Sequence, residues 1–350
     1  MTALLLVGSF VVIIIGAALF TNAVEWFGQH LGLAEGAVGS VLAAVGTALP
    51  ETMIPLVAIV FGVGSRSDAV GIGAILGAPL MLATLAMFVT GLAVLDRVRR
   101  RTGEERMSID PAIVGRDVRT FGVTYAGAIA VAFLPADLAA PRWLAAAALI
   151  GAYGWYVRGH LTATAAETSA DPRPLRLARV DRAARPGLAQ PRLRVVLLQL
   201  GLALLAIVAG AVVFVDALET LARSVGLDET LLSLLIAPIA TELPEQFNSV
   251  IWIRRGRDTL ALGNITGAMV FQAAIPTSIA LVFASSQWSI ASGSWIAFSS
   301  AGIALLSTGL IFRPMFGTGR LHGRRLLLGG AMFGAQLGLV VAGLSGALGA

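Results

Sequence analysis

Residues 47–51 read Thr-Ala-Leu-Pro-Glu and residues 241–245 read Thr-Glu-Leu-Pro-Glu, and both stretches lie inside long apolar segments. Proline interrupts the hydrogen bonding of a helix, and a charged side chain at the centre of a bilayer costs about 2.5–3.5 kcal/mol on insertion scales. The chain places both features together twice. This pattern predicts two broken membrane helices with acidic side chains at the breaks.

The composition is that of a protein that crosses a membrane several times. Of 350 residues, 57% are hydrophobic and 13% charged, and the mean hydropathy is +0.85. A soluble domain of this size is less apolar. The absence of cysteine excludes disulfides and thiolate metal sites. The isoelectric point near 10.8 does not indicate nucleic acid as a partner, because the arginines lie in short connections between apolar segments.

Apolar segments of spanning length predict an all-α membrane protein with ten transmembrane helices. The segments lie at 3–23, 36–62, 69–95, 118–135, 141–157, 194–216, 230–253, 259–284, 290–312 and 324–348. Trp residues near the predicted interfaces are interpreted as aromatic anchors in the membrane. These residues are Trp26, Trp143, Trp155, Trp252 and Trp288.

The arginines predict the orientation. All 25 basic residues are Arg, and all except Arg66, Arg142 and Arg223 lie in or beside alternate connections. The positive-inside rule then puts the N-terminus outside and the 158–193 linker in the cytoplasm. We expect an integral protein of a bacterial plasma membrane. The Pro- and Arg-rich linker is predicted to be a flexible tether, with a regulatory or lipid-binding role as the alternative.

The two halves of the chain are related in sequence. A shift of 194 positions gives 13 identities over the 36 positions 16–51, including the proline, the threonine and the acids. The predicted organisation is a first five-helix repeat at 1–157, the linker, and a second five-helix repeat at 194–350. Because five is odd, the second copy enters from the other side, and helices 2 and 7 are the broken ones. Inverted-topology repeats of this kind hold their site between the copies.

The two motifs supply ligands for a hard cation. Carboxylates, threonine hydroxyls and carbonyls freed by proline are all oxygen ligands, and calcium takes 6–8 of them at about 2.3–2.6 Å. Facing copies would contribute Glu51, Glu245, Thr47 and Thr241. We therefore predict a cation site, with Glu51 and Glu245 as the metal ligands.

A second pair of motifs follows, Gly-Ala-Ile-Leu-Gly-Ala at 73–78 and Gly-Asn-Ile-Thr-Gly-Ala at 263–268. The glycines favour close helix packing, and a role at the site is the alternative. The polar residues Asn264, Thr266 and Gln272 lie on an otherwise apolar span. They are predicted either to line the site or to bridge helices.

These motifs resemble the cation/calcium exchanger superfamily. Residues 46–51 are similar to its Gly-Thr-Ser-Leu-Pro-Glu motif, and residues 263–268 to its Gly-Asn-x-x-Gly-Ser motif. The resemblance covers both repeats. It implies a ten-helix antiporter that exports Ca²⁺ against Na⁺ or H⁺, in which Glu51 and Glu245 bind the divalent ion and Thr47 and Thr241 contribute oxygens.

Several residues depart from the sodium-coupled pattern of that family. Ala48 stands where serine is usual, and Glu242 occupies the equivalent position of the second repeat. Leu82 and Gln272 stand where an asparagine and an aspartate help to hold the monovalent ion. Glu242 adds a titratable group that suits proton coupling. We place Glu242 in the cation site and Ala48 in its lining, and Na⁺ and H⁺ both remain as coupling ions.

Other classes of protein fit the sequence less well. A channel would need a continuous polar path, and each span carries few polar residues. A transport-inactive homologue that acts as a sensor or scaffold is the runner-up. The sequence shows neither a nucleophile beside a general base nor a phosphate-binding loop, so nothing in it indicates an enzyme. We expect no cofactor, no nucleic acid and no obligate protein partner, only inorganic cations and membrane lipids.

Overall fold

The computed structural model is helical throughout the part of the chain that it describes. That part comprises residues 2–48, 52, 59, 65–100, 106–135, 138–162, 172–180, 191–224, 242–290 and 295–344. The predicted site residues Glu51 and Thr241, with Leu49 and Pro50, lie outside it.

We number the helices in chain order. They are α1 (Thr2–His30), α2 (Glu35–Ala48), α3 (65–100), α4 (Pro111–Val131), α5 (Ala139–Leu161), α6 (Leu193–Ser224), α7 (Leu243–Arg254), α8 (Asp258–Phe283), α9 (Trp295–Thr318) and α10 (Leu328–Leu344). Helix α2 is π-helical over Val38–Ala43, and α3 over Leu82–Ala86. Such wide turns inside α-helices are frequent at functional sites.

Six described segments are long and apolar enough to cross a membrane: they lie in α1, α3, α6, α8 and α9 and at Gly323–Ala342, which includes most of α10. Helix α2 is apolar but shorter. Helix α4 carries Arg116, Asp117 and Arg119 in its first half. The structure therefore supports an all-α integral membrane protein, and the ten-span arrangement stays a prediction.

Helix α8 is the centre of the structure. Most of its side chains are buried, including Asn264, Thr266 and Gln272. It contacts α2, α3, α4, α5 and α7. A helix that is buried on all faces needs partners for each polar side chain, because no water reaches them. The positions of the polar residues of α8 therefore show where polar contacts occur inside the protein.

Helices α1 and α6 pack along each other at the surface. A Cβ atom on Gly16 would lie 2.9 Å from Cγ1 of Ile207, and a Cβ atom on Gly210 would lie 2.9 Å from Cγ1 of Ile13. The two helices therefore run antiparallel. Residues 13 and 207, like residues 16 and 210, are equivalent under the shift of 194 positions. The contact is reciprocal, because each helix places the same glycine against the same isoleucine of the other.

Part of the linker is bound to these two helices. Leu175 is buried against Trp26 and Val196. Asn22 Nδ2 donates to the Arg173 carbonyl at 3.0 Å, and Gln199 Oε1 accepts from the Leu177 amide at 2.8 Å. The prediction of a flexible tether is thus wrong for residues 172–178, because an apolar side chain and two buried amides hold them in place.

The tryptophans divide into two groups. Trp143 and Trp155, both on α5, are 59% and 72% exposed, as membrane anchors should be. Trp252 and Trp288 are fully buried, and their indole groups donate to Glu25 Oε1 at 2.9 Å and to the Ala128 carbonyl at 3.0 Å. Trp26 is buried as well, and its indole N–H donates to the Arg173 carbonyl at 2.9 Å. The assignment of these three residues to an aromatic belt was wrong, because each is buried and satisfies its N–H inside the protein.

The α1–α6 contact gives a test of the packing. We expect Gly16→Ala to lower the thermal unfolding midpoint in detergent, because overpacking costs about 1–3 kcal/mol, more than the gain of up to about 1 kcal/mol in helix propensity. Gly8→Ala on the same helix is the matched control, since within the described part of the chain nothing lies within 4 Å of the added Cβ. Equal midpoints for the two variants would contradict the close packing.

Candidate functional site

Glu245 lies at the start of α7, where the helix begins immediately after Glu242. Pro244 occupies the first turn, a position where its missing N–H removes no helical hydrogen bond. The Glu245 carboxylate is therefore held at a helix N-terminus, which favours negative charge. The residue is completely buried, and its two carboxyl oxygens accept no hydrogen bond from the residues that the structure describes.

Helix α2 brings Thr47 to the same place. Thr47 lies near the Glu245 carboxyl group, yet its hydroxyl donates to the Ala43 carbonyl at 3.0 Å. A hydroxyl has a single proton, and in this arrangement it is directed to the Ala43 carbonyl rather than to the Glu245 carboxylate. The neighbouring Ala48 is buried and contributes no oxygen from its side chain.

Asn264 of α8 joins the two segments. Its Nδ2 donates to the Glu245 carbonyl at 3.2 Å and lies 3.3 Å from Ser249 Oγ, while its Oδ1 lies 3.5 Å from the Thr47 hydroxyl. Helices α2, α7 and α8 thus meet at Thr47, Asn264 and Glu245. We call these three residues the candidate cation site. The structure brings together residues from both halves of the chain, as the repeats predict.

The other predicted residues lie around this site in different ways. Glu242 is fully buried, and its carbonyl accepts from the Gln246 amide at 3.2 Å. Gln272 Nε2 lies 3.5 Å from the Thr52 hydroxyl, so it bridges α8 to the chain that follows α2.

Thr266 points away from the candidate cation site, since its hydroxyl is 2.7 Å from Asp117 Oδ2. Two residues turn a helix by about 200°, so Thr266 and Asn264 occupy opposite faces of α8.

Glycines of α8 allow α2 to approach closely. A Cβ atom on Gly263 would lie 2.9 Å from Ser40 Oγ, and one on Gly267 would lie 2.6 Å from Ser40 Cα. These two glycines therefore serve helix packing, one of the two roles predicted for them. Gly73 differs, because no atom of the described residues lies within 4 Å of an added Cβ.

Sequence reasoning missed a second buried polar group, which we call the Asp117 cluster. Asp117 Oδ2 accepts from the Ser40 and Thr266 hydroxyls, each at 2.7 Å. Asp117 Oδ1 lies 3.0 Å from the Tyr156 hydroxyl and 2.9 Å from His160 Nε2. The cluster joins α2, α4, α5 and α8. In the sequence, an aspartate flanked by Arg116 and Arg119 looks like a residue at the membrane interface. No local pattern indicates that Asp117 is buried instead.

Several other buried acids have partners. Glu25 accepts from Trp252 and, at 3.1 Å, from Arg255. Asp258 pairs with Arg97 and accepts from the Ser108 amide at 2.9 Å. By contrast, neither oxygen of the Glu245 carboxylate has a partner in the described part of the chain.

No group of three or more His, Cys, Asp or Glu side chains that could hold a metal occurs among the described residues. Glu51, the second predicted carboxylate, lies outside those residues. The side-chain oxygens of the candidate cation site itself are the Glu245 carboxylate, the hydroxyl of Thr47 and the amide oxygen of Asn264. These are hard ligands of the kind that Ca²⁺ and Na⁺ take.

A helical membrane structure with a buried carboxylate between two halves of the chain is typical of an ion transporter. The family model described as "Sodium/calcium exchanger protein" matches residues 1–160 and 195–346. The chain belongs to this sodium/calcium exchanger family. It is accordingly a membrane transporter rather than an enzyme, and its general activity is cation antiport.

Solved structures support the fold. The chain superposes on the sodium-calcium exchanger NCX_Mj soaked with 2.5 mM Na⁺ and 0.1 mM Ca²⁺ with a TM-score of 0.68, at 15% identity over 98% of each chain. A crystal of NCX_Mj with 100 mM Na⁺ and 10 mM Sr²⁺ gives a TM-score of 0.67 at 16% identity over 99% of each chain.

One curated relative matches over a shorter stretch. It is the "Putative antiporter CaxA" of Alkalimonas amylolytica, 45% identical over 74 residues. The match spans 21% of this chain and 23% of that protein.

The crossing of α2 and α8 makes a testable prediction. Gly267→Ala should lower the thermal unfolding midpoint strongly, because the added carbon meets the Ser40 backbone rather than a movable side chain. Gly73→Ala, at the first glycine of the related motif in α3, meets no atom of the described residues within 4 Å and should leave the midpoint unchanged or raise it. A Gly267→Ala protein as stable as the Gly73→Ala control would show that the crossing is not tight.

Proposed function

We propose that the protein exchanges Ca²⁺, or a similar divalent cation, for Na⁺ or H⁺, by exposing one site alternately to the two faces of the membrane. The observation that carries this proposal is the buried Glu245 carboxylate, whose two oxygens accept no hydrogen bond in the described part of the chain. A buried anion without partners is costly, and a bound cation would remove that cost. The cation is the cargo, and no resident cofactor is proposed.

The site that we propose extends beyond the described residues. Glu51 and Glu245 are the metal ligands, and Thr47, Thr241 and Glu242 complete the cation-binding set. Ala48, Asn264 and Gln272 line it. Thr266 no longer belongs to the lining, because its hydroxyl lies 2.7 Å from Asp117 on the other face of α8.

We further propose the ten-helix inverted repeat, with units 1–157 and 194–350 joined by the linker 158–193. Two observations support it. The family model matches in two blocks whose gap falls at the linker. Helices α1 and α6 are antiparallel and exchange equivalent glycine and isoleucine contacts, as a twofold axis in the membrane plane would produce. The proposed setting is a bacterial plasma membrane, with the N-terminus outside and the Arg-rich linker in the cytoplasm.

The runner-up is a homologue that binds or senses cations without transporting them. The substitutions Ala48, Leu82 and Gln272 favour it, because they remove side-chain oxygens that the family resemblance implies for the monovalent ion. Calorimetry with Ca²⁺ and flux in proteoliposomes separate the two functions. Binding without flux would favour a sensor, and the absence of both binding and flux would favour a scaffold.

Removing one carboxylate tests the site. We expect Glu245→Gln to reduce ⁴⁵Ca²⁺ exchange in proteoliposomes by at least about tenfold, since it removes a charged ligand while keeping the shape, and a tenfold change corresponds to about 1.4 kcal/mol. Glu51→Gln should do the same. Asp96→Asn serves as the control, because Asp96 pairs with Arg100 at the protein surface. Wild-type exchange in both Glu variants would refute the site.

The coupling ion is tested by imposing one gradient at a time. A Na⁺ jump that drives Ca²⁺ release at constant pH indicates sodium coupling, and a pH jump that does so without Na⁺ indicates proton coupling. If protons couple, Glu242→Ala should flatten the pH dependence of flux, because it removes a buried titratable group from the site. An unchanged pH profile would exclude Glu242 from the coupling.

A further inference from the structure

The Asp117 cluster lies outside the candidate cation site, and that site has no evident use for it. Ser40, Asp117, Tyr156, His160 and Thr266 are all buried, the aspartate completely. All four neighbours of the carboxylate can donate a proton to it. The ionised carboxylate is therefore fully satisfied in this arrangement.

The same hydrogen bonds can also serve a protonated carboxyl group. The Thr266 hydroxyl lies 2.9 Å from the Leu262 carbonyl, so it can turn its proton there and accept one from Asp117. The Tyr156 hydroxyl similarly lies 3.3 Å from the Ser40 carbonyl as well as 3.0 Å from Asp117. Rotation of hydroxyl groups thus allows the cluster to gain or lose a proton while every buried polar atom keeps a hydrogen bond. A buried polar atom without a hydrogen bond would cost about 1–3 kcal/mol.

The charge of the cluster depends on His160. A buried carboxylate requires a compensating positive charge, and His160 Nε2 lies 2.9 Å from Asp117 Oδ1. Protonation of the imidazole makes the pair electroneutral, and loss of that proton leaves a net negative charge inside the protein. A histidine in such a pair carries the proton that decides the charge.

The other described groups that face the pair are uncharged except for Arg116. Helices α2 and α8 present the hydroxyls of Ser40 and Thr266. Helix α5 also presents Tyr156, whose ring is tilted against Tyr153 at 5.9 Å. Helix α4 carries Arg116, whose Nη1 donates to the Gly159 carbonyl at 2.6 Å, beside His160 in the chain. Helix α9, which packs on α4, places Met315 and Phe316 beside Gly115.

We propose that Asp117 and His160 form a proton-binding pair that controls cation exchange at the candidate cation site. This inference rests on the proposed function. His160 lies in the last turn of α5, at the end that leads into the linker. The pair is distinct from Glu242 and lies on the opposite face of α8 from Asn264.

The pair is connected to the site through two helices. Ser40 is seven residues before Thr47 on α2, and Thr266 is two residues after Asn264 on α8. Asp117 therefore holds together α2 and α8, two of the three helices that form the site, at the crossing where Gly263 and Gly267 allow contact with Ser40. A change of charge on the pair changes the hydrogen bonds that hold this crossing.

Proton binding is measured first, without transport. The chain has three histidines, so the background His30→Gln with His322→Gln leaves His160 alone. We expect the ring ¹⁵N signals of His160, recorded in lipid nanodiscs, to change from the protonated to the neutral pattern between about pH 5 and 8. Signals that stay constant over this range would overturn the proposal, whatever the protein transports.

The partner of the imidazole is tested in the same background. Asp117→Asn should move the midpoint of the His160 titration by about half a pH unit or more. If that variant does not fold, Tyr156→Phe, which removes one donor and no charge, replaces it. An unmoved midpoint in a folded variant would show that Asp117 and His160 do not act as a pair.

Control of transport is measured last. His160→Gln should remove one step from the pH profile of ⁴⁵Ca²⁺ exchange, while His322→Gln, a change at an exposed residue, should keep it. A His160→Gln protein with the wild-type profile and rate would overturn the controlling role. Loss of all flux in Glu245→Gln, with normal titration of His160, would leave the pair intact and separates this proposal from the site itself.

Discussion

A carboxylate inside a low-dielectric interior must find compensation, and this constraint governs the arrangement of the protein. Glu245 is placed at a helix N-terminus, with Thr47 and Asn264 from two other helices around it. The helix end supplies a partial positive charge, but no described donor completes the carboxylate. A soluble protein would satisfy such a group with water, and we propose that a cation or a proton takes that role here.

The close crossing of α2 and α8 makes that arrangement possible. Gly263 and Gly267 let the π-helical segment of α2 contact the backbone of α8, and the wide turn presents the Ser40 carbonyl toward Tyr156. Small residues are how membrane helices approach one another, because lipid offers no hydrophobic force between them. Helix α8 consequently carries a polar residue on each of two faces. Asn264 faces the candidate cation site and Thr266 faces Asp117.

The two buried acids illustrate different solutions of the same problem. Asp117 is surrounded by four donors, and Glu245 by none within the described residues. The first arrangement suits a group that stays in place and exchanges a proton. The second suits a group that exchanges ligands. The family assignment accommodates both, since an antiporter has to bind one ion and respond to another.

The sequence by itself determined the membrane class, the superfamily resemblance and the acids at the two Leu-Pro-Glu motifs, because hydropathy and helix-breaking residues are local properties. It also predicted two alternative roles for the glycines of 263–268, and helix packing was one of them. It could not place Asp117 beside His160, since 43 residues separate them and only the packing of α4 on α5 brings them together. Nor could it tell that Thr266 points away from Asn264, or that Trp252 and Trp288 are buried. Those features depend on which face of each helix meets a neighbour, and that is decided by tertiary packing alone.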